Sequence, residues 1–433
     1  MSISTIGLLI ILLLFVFFVL GLEIGFSMAL AGFIGYAAIV NIDAAFKLVA
    51  MDIYSVVSSY SLLVIPLFIL MGQIGAGAGI SKDLYDCAYK FVGHVPGGLA
   101  IGTVAAATAF KAISGSSSAT SATFATIAVP EMDRYGYDKR LSCGTVATVG
   151  TLGGLIPPSV GLVVYGIITE TSIGKLFMAG IIPGFLVAFS FFLTVIVWCT
   201  INPALGPKGE KSTWKERLVS LTPMTWVLAI FLVVVGGLMF GFFTPTEAGS
   251  AGAFAVLLLV LVKRDMGLRG FIKSVKESVR LGCMILMLIA GATILGHFFA
   301  VTKMPFIIMD WLGSLPVPRS LIILIICFVY LVGGSIIEDM AFFILATPLF
   351  FPLALKLGYD PVWFGIILSL TTMIGIIIPP IAINVFIVAG IAKVPVSTVY
   401  KGIYPYLVGM FACLVILILF PQISLWLPGL LMK

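Results

Sequence analysis

A Pro-Pro pair inside an apolar segment occurs twice in this chain, at matching positions of an internal repeat. Pro157-Pro158 in the first half corresponds to Pro379-Pro380 in the second half, 222 residues later. The same offset aligns Gly136-Tyr137-Asp138 with Gly358-Tyr359-Asp360. Because proline has no N–H to donate and clashes with the preceding helical turn, each pair predicts a break in a helix. A duplicated break inside apolar segments indicates a binding site between two related halves.

The composition places the chain in a membrane. Of its 433 residues, 61% are hydrophobic and only 10% are charged, and a soluble domain could not cover so much apolar surface. Several apolar runs have the length of about 20 residues that is needed to cross a hydrocarbon core of about 30 Å. The first run, 3–22, is too long and too poorly flanked to be a cleaved signal peptide. No segment predicts a soluble domain, so nucleic acid is not expected as a partner.

The six cysteines and two histidines form no metal or disulfide pattern. The cysteines have no paired spacing and are typical of small packing residues in an apolar interior. Each histidine stands alone in the sequence, so no transition-metal site is expected.

Ten apolar segments predict spanning helices, five in each half. In the first half they are 3–22, 24–40, 58–80, 139–170 and 176–200, and in the second half 224–242, 247–262, 281–299, 361–392 and 398–431. The fourth segment of each half carries the Pro-Pro break. Segments 43–57 and 263–280 have spaced charges and are typical of amphipathic helices at the membrane interface. The stretch 201–223, rich in Pro, Lys and Glu, predicts a cytoplasmic linker between the halves.

A re-entrant helical hairpin is predicted between the third and fourth spans of each half. The first hairpin covers 96–130 with its tip in the run Ser114–Ser121, and the second covers 318–352 with its tip at Gly333–Asp339. The second arm of the first hairpin has about 12 residues, or about 18 Å of helix, which cannot cross the hydrocarbon core. Irregular polar backbone is tolerated at this depth only where it is buried in protein or lines a wet cavity.

The number of crossings decides how the halves are related. Five crossings per half is an odd number, so the second half enters from the opposite face and the repeats are inverted. With the N-terminus outside, 17 of the 24 Lys and Arg residues lie inside and 6 outside, with Lys111 in the first hairpin, as the positive-inside rule requires. If the first arm of each hairpin crossed the membrane fully, there would be twelve spans in parallel repeats. In that arrangement 16 Lys and Arg residues would lie inside and 7 outside. The short second arms and polar tips favour the hairpins, and the predicted fold is an all-α polytopic membrane protein with two inverted repeats, each of five spanning helices (one broken) plus a hairpin.

The tips and breaks predict two sites for a sodium ion. Carbonyl groups freed by a helix break, together with hydroxyl groups, supply the oxygen ligands that such an ion requires. Helix N-termini beside them favour an anion, which is the expected partner for co-transport. The predicted sodium ligands are Ser114, Gly115, Ser116, Ser118, Gly150, Gly153 and Pro157 in the first half, and Gly333, Gly334, Ser335, Thr371, Thr372, Gly375 and Pro379 in the second.

A second set of residues is predicted to bind the substrate or to gate the site. It comprises Lys111, Ser117, Glu338, Asp339 and Asn384. Ionisable groups at membrane depth indicate function. Plainer interpretations remain open: the small residues of the first tip could serve close helix packing, the two acids could lie in a solvated tip, and Lys111 could snorkel or pair with an acid.

Three stretches resemble the large membrane subunit of tripartite ATP-independent periplasmic (TRAP) transporters. They are Lys111–Thr126, Gly153–Pro158 and Tyr165–Ile173, and the resemblance extends over essentially the whole chain. It implies a permease of the bacterial inner membrane that imports an organic acid, such as a C4-dicarboxylate or sialate. It also implies two partners, a small four-helix membrane subunit and a periplasmic solute-binding protein, and Na⁺ as the coupling ion with no further cofactor.

The same resemblance implies an elevator-type ion-transporter fold. In such a fold a transport domain bearing the hairpins and broken helices slides against a scaffold. Carried onto this chain, the transport domain is 96–200 with 318–433, and the scaffold is 1–95 with 224–317.

Two other transporter classes remain as alternatives. The pattern is also similar to divalent-anion/sodium symporters, which work without a binding protein. A proton-coupled antiporter would use Asp339 as its proton carrier. An enzyme is not expected, because the sequence has no phosphate-binding Gly-Lys-Ser/Thr loop, nucleophile elbow or His-rich metal motif.

Overall fold

Helices make up every regular element of the described chain. The computed structural model describes residues 3–307 and 317–432, and only helices and turns occur in these ranges. The stretch 308–316, which belongs to the predicted scaffold range 224–317, lies outside the described residues. So does Lys433, which was counted among the outside charges.

The first half follows the predicted order of spans, hairpin and broken helix. Its α-helices are Ile3–Val19, Ile24–Ile39, Ile42–Val57, Val64–Gly77, Ile80–Val92, Gly98–Lys111, Ser117–Arg134, Lys139–Val149, Val160–Ile168 and Ile173–Ile201, with 3₁₀ turns at Tyr60–Leu63, Gly150–Gly154 and Pro203–Leu205. The predicted interfacial segment 43–57 is a separate helix. The helix Ile80–Val92 corresponds to no predicted element.

The second half repeats this order with two departures from the prediction. Its helices are Trp214–Ser220, Thr222–Phe231, Gly237–Met239, Pro245–Lys263, Leu268–Thr302, Arg319–Ile336, Asp339–Lys356, Pro361–Gly375, Ile383–Ala392, Val396–Leu419 and Gln422–Leu431, with a π-helical turn at Leu232–Gly236. The predicted interfacial helix 263–280 is wrong as a separate element, because it continues into the span 281–299 as one helix of 35 residues. The predicted last span 398–431 is two helices, which Phe420 and Pro421 separate.

The helices have the length and composition of a multi-pass membrane protein. Within the described ranges, eight are long and apolar enough to cross a membrane, and six shorter apolar helices accompany them. The shorter ones include both pieces of the second broken helix, Pro361–Gly375 and Ile383–Ala392, since the break divides one predicted span into two.

The repeated Gly-Tyr-Asp sequence forms the same local structure in both halves. Gly136 and Gly358 have φ angles of 74° and 82°, a left-handed conformation that glycine adopts without steric cost. Two residues later, Asp138 and Asp360 cap the following helices through hydrogen bonds from Arg140 N (2.7 Å) and Val362 N (2.8 Å). A hydrogen bond from the Arg140 side chain holds the pKa of the Asp138 carboxyl below its usual value. The internal repeat therefore determines how each broken helix begins.

The predicted length of the first hairpin's second arm is wrong. The helix Ser117–Arg134 continues through Pro130 and has 18 residues, or about 27 Å. Both arms of the second hairpin also have 18 residues, so arm length does not separate a hairpin from a full crossing. The positions of the tips distinguish a hairpin from a full crossing. Each tip contacts the break of the broken helix in its own half, partway along that helix. The chain therefore turns back at the depth of the break, which makes both hairpins re-entrant.

Glycines bring helices of the two halves into close contact. The helix Ile24–Ile39 packs on Leu268–Thr302, where a Cβ on Gly32 would lie 2.7 Å from the backbone N of Leu295. The first broken helix packs on Val396–Leu419, where a Cβ on Gly402 would lie 2.0 Å from the carbonyl oxygen of Arg140. Small residues allow membrane helices to approach at backbone distance. The halves are therefore interleaved rather than set side by side.

The linker between the halves is attached to the first hairpin. Gly97 N donates to Gly206 O at 2.9 Å, and Asp138 N donates to Leu205 O at 3.0 Å. The predicted linker 201–223 also becomes helical from Trp214. It is therefore an anchored connection at the base of the hairpin.

Candidate functional site

The tip of the first hairpin lies on the break of the first broken helix, and we call this contact the first junction. The tip consists of residues 112–116, between the arms Gly98–Lys111 and Ser117–Arg134. Ser116 caps the second arm, its Oγ accepting a hydrogen bond from Ala119 N at 3.3 Å. A Cβ on Gly115 would lie 3.1 Å from the carbonyl oxygen of Pro158. The same Cβ would lie 3.0 Å from Cγ2 of Val160, so glycine allows the tip to lie close against the break.

The side chain of Lys111 is enclosed in the first junction. Lys111 is fully buried, and its Nζ donates to the carbonyl oxygen of Ser116 at 2.8 Å. A Cβ on Gly153 would lie only 2.6 Å from this Nζ. Asp339 of the second hairpin is close enough to interact electrostatically with the same group. Lys111 therefore does not snorkel to the membrane surface.

The second hairpin meets the second broken helix in the same way, and we call this contact the second junction. The carbonyl oxygen of Ser335 accepts a hydrogen bond from Ile381 N at 3.1 Å. A Cβ on Gly375 would lie 3.2 Å from the carbonyl carbon of Gly334. Close backbone contact between tip and break therefore recurs in both halves.

The carboxylate of Glu338 caps a helix. It accepts a hydrogen bond from Ala341 N at 2.9 Å, as Ser116 does from Ala119 N in the first hairpin. Ser116 and Glu338 are 222 residues apart, so they are equivalent positions of the repeat. A side-chain oxygen at this position satisfies one of the backbone N–H groups that have no partner within the helix.

A small cavity lies where the two halves meet, and we call it the central cavity. Its volume is about 20 Å³, and it is lined by Gly154, Gly161, Asp339, Met340, Phe343, Ser369, Thr372 and Met373. Such a volume holds about one water molecule. The Oγ of Ser369 is buried and has no hydrogen-bond partner among the described residues. Because a buried polar group normally has a partner, this hydroxyl indicates that the cavity binds a water molecule or a small ion.

Two further buried polar atoms face the first broken helix from both halves. Asn384 donates through Nδ2 to Ala147 O at 3.5 Å, and its Oδ1 has no partner within the described ranges. Ser121 Oγ is also without a partner there, and it would lie 1.8 Å from a Cβ on Gly150. Asn384 and Ser121 therefore each bring an unused oxygen to the same helix.

Several predicted ligands of the first half lie around the junction rather than in it. Ser114 contacts the helix Val64–Gly77, since a Cβ on Gly72 would lie 3.1 Å from its Cα. Ser117 turns its carbonyl oxygen towards Gly150, and Ser118 is partly exposed on the hairpin arm. Pro157 lines an apolar groove.

The predicted ligands of the second half also separate into different environments. Thr371 and Thr372 donate through Oγ1 to Ile367 O and Leu368 O, at 2.8 Å each, but Thr372 alone lines the central cavity. Gly333 lies under the ring of Phe342, whose Cζ would be 2.1 Å from a Cβ there. Pro379 is exposed, unlike the buried Pro157.

Sequence reasoning missed Ser369 and Ser121. Both could have been found from helical spacing, because residues three or four apart share a face. Ser369 precedes the predicted ligand Thr372 by three residues, and Ser121 follows Ser117 by four.

Two hairpin tips seated on two broken helices, in halves of opposite orientation, define the class of secondary transporters with inverted repeats. The chain matches the family model described as "Tripartite ATP-independent periplasmic transporter, DctM component" over residues 11–423. It therefore belongs to this family, as the resemblance predicted.

Its relatives are transporter permeases. The chain is 35% identical to the C4-dicarboxylate TRAP transporter large permease protein DctM of Pseudomonas aeruginosa, over 88% of this chain and 89% of the relative. It is 30% identical to the sialic acid TRAP transporter large permease protein SiaM of Vibrio cholerae, over 95% of each chain. These names confirm the prediction of a transport protein rather than an enzyme.

The fold is similar to that of a solved transporter. The crystal structure of the Alcanivorax borkumensis YdaH transporter superposes with a TM-score of 0.53, at 14% identity, over 89% of this chain and 88% of that chain. At this identity the likeness shows the fold alone. It confirms the predicted fold class.

Proposed function

We propose that this permease imports an organic acid together with sodium ions and receives the acid from a periplasmic binding protein. The observation that carries the proposal is the pair of junctions, together with a central cavity that residues of both broken helices and Asp339 line. Backbone carbonyls freed at a helix break are ligands for sodium, and helix N-termini attract anions.

The substrate class is supported by the relatives. Those named above carry C4-dicarboxylates and sialic acid by name, and another, YiaN of Escherichia coli, is named for 2,3-diketo-L-gulonate. All three are carboxylates. The substrate of this chain is therefore an organic acid.

The partners follow from the tripartite description of the family. We expect a small four-helix membrane subunit and a periplasmic solute-binding protein, in the bacterial inner membrane, with the N-terminus of this chain in the periplasm. The excess of Lys and Arg on the predicted inner side supports this orientation.

Transport would follow an elevator mechanism. The hairpins and broken helices, in 96–200 and 318–433, pack on one another through the junctions. The helix pair Ile24–Ile39 and Leu268–Thr302 belongs to the scaffold and is held by its own close glycine contacts. The first group would move as a unit against the second.

Uptake in proteoliposomes tests the proposal. Vesicles containing this chain with its small subunit and binding protein should accumulate the labelled acid when an inward sodium gradient is applied. Omission of the binding protein is the control, because a divalent-anion symporter would remain active without it. Equal uptake with potassium in place of sodium would overturn the sodium coupling, and uptake driven by a proton gradient alone would assign the coupling to Asp339.

A further inference from the structure

The ammonium group of Lys111 lies beside the backbone of the first tip, where the repeat predicts a cation site. Its Nζ is 2.8 Å from the carbonyl oxygen of Ser116. A Cβ placed on Gly153 would meet both this Nζ, at 2.6 Å, and the carbonyl oxygen of Gly115, at 3.4 Å. The group is fully buried. A buried charge is tolerated only with oxygen partners and compensating charge, so the surroundings are chemically suited to a cation.

The matching position in the second half supplies no such group. Gly333 stands 222 residues after Lys111, and its Cα is covered by the ring of Phe342. At the second junction a Cβ on Gly334 would be 3.8 Å from the carbonyl oxygen of Thr372, which is an ordinary van der Waals distance. Gly333 therefore brings no side-chain amino group to the second junction, whereas Lys111 brings one to the first.

We propose that the Lys111 ammonium is a tethered cation that takes the place of a free sodium ion at the first junction, so that the free coupling ion binds at the second junction. The proposal rests on sodium coupling as proposed above and specifies which of the two sites uses a free ion. Lys111 then acts as a positioning residue: its charge holds the first tip against the first break throughout the cycle.

Replacement of the charge should turn the first junction into a sodium site. In Lys111→Met the side-chain stem is kept and the ammonium is lost, which leaves the carbonyl oxygens of Gly115 and Ser116 without a cation. The matched control Lys111→Arg keeps the positive charge. The readout is the unfolding temperature of the purified permease complex in sodium chloride and in choline chloride at equal ionic strength.

We expect Lys111→Met to unfold at a lower temperature than the wild type in choline chloride. Sodium should raise the unfolding temperature of Lys111→Met about twice as much as it raises that of the wild type, because a second ion then binds the folded state. Lys111→Arg should show the same rise as the wild type. In uptake assays, the Hill coefficient for sodium should be larger for Lys111→Met than for the wild type. The number of interacting sites sets the upper limit of this coefficient, and the variant has one more sodium site. An unchanged sodium-dependent rise in Lys111→Met, with a raised KM for the acid, would overturn the proposal and make Lys111 a substrate ligand.

Two further outcomes remain distinguishable. If the wild type shows no effect of sodium on stability or uptake, the proposed coupling fails, but Lys111→Met should still gain sodium-dependent stabilisation through the emptied junction. If Lys111→Met does not fold, binding of radioactive sodium to the wild type and to Thr372→Val decides. A sodium affinity lowered about tenfold in Thr372→Val, with one class of binding site, supports a single free-ion junction, whereas a remaining class of sites with the wild-type affinity contradicts it.

Discussion

At the scale of single residues, neighbouring hydroxyl groups have different surroundings. The hydroxyl of Thr371 is directed along its own helix, where it donates to Ile367 O. Thr372, one position later, lines the central cavity together with Ser369. A rotation of about 100° per residue along a helix separates the two faces. The cavity face therefore carries Ser369 and Thr372, three residues apart.

Removal of the Thr372 hydroxyl should weaken the apparent sodium affinity. In Thr372→Val the side-chain shape is retained and one oxygen ligand is lost. A contact between an oxygen and an ion is about as strong as a hydrogen bond to a charged group, so its loss should lower the affinity about tenfold. Sodium titration of uptake measures the effect. Thr372→Ser keeps the oxygen and should retain the wild-type affinity. Identical sodium titrations for Thr372→Val and the wild type would remove this hydroxyl from the site.

At the scale of helices, the internal repeat fixes where the broken helices begin and where they stop. Each starts with a left-handed glycine followed by an aspartate cap, and each stops before its Pro-Pro pair. The tips follow the same rule with different residues, since Ser116 and Glu338 both act as caps. Equivalent positions have therefore kept their structural role while their chemistry has diverged.

Loss of one aspartate cap should destabilise the broken helix without altering the site. Asp360 accepts hydrogen bonds from Val362 N and Trp363 N, and replacement of such a cap by alanine costs about 1 kcal/mol. Asp360→Ala should therefore unfold at a lower temperature in detergent than the wild type, with an unchanged sodium affinity. Asp360→Asn keeps the capping oxygen and is expected to match the wild type. If the Asn and Ala variants were equally destabilised, the carboxylate would have another role.

At the scale of the whole molecule, the first hairpin touches both proposed domains. Its tip lies on the first break through Gly115, and on the scaffold helix Val64–Gly77 through Ser114 and Ile113. An elevator movement must separate the second of these contacts while it preserves the first. The contact between Gly72 and Ser114 is therefore a suitable place to test the movement.

A disulfide between these positions should stop transport. A Cβ on Gly72 would lie 3.4 Å from Ser114 Oγ, so the side chains of cysteines at these two positions would meet. We expect the double variant Gly72→Cys/Ser114→Cys to lose uptake on oxidation and to recover it on reduction, in a background where the exposed Cys283 is replaced by serine. Each single cysteine variant is the control. Full uptake by the oxidised, cross-linked protein would contradict a sliding first hairpin.

Much of the fold could be predicted from the sequence. The duplicated Pro-Pro pairs, the apolar spans and the polar tips predict the breaks and the hairpins because each depends on local chemistry: a missing N–H, side-chain hydrophobicity and glycine freedom. Helix ends were predicted less well. The helix continues through Pro130, and 268–302 is a single helix, because tertiary packing can sustain a helix through an unfavourable residue or a charged stretch.

The sequence by itself determined that this protein is a membrane transporter of two inverted halves, since that conclusion needs only periodic hydrophobicity and a repeat. Only the tertiary structure decided what each predicted ligand does. It enclosed the Lys111 ammonium in the first junction, made Glu338 a helix cap, and brought Ser369 to a cavity shared with the first broken helix. These roles depend on contacts between segments more than two hundred residues apart or on the path of a side chain within a tip, and neither is contained in local sequence pattern.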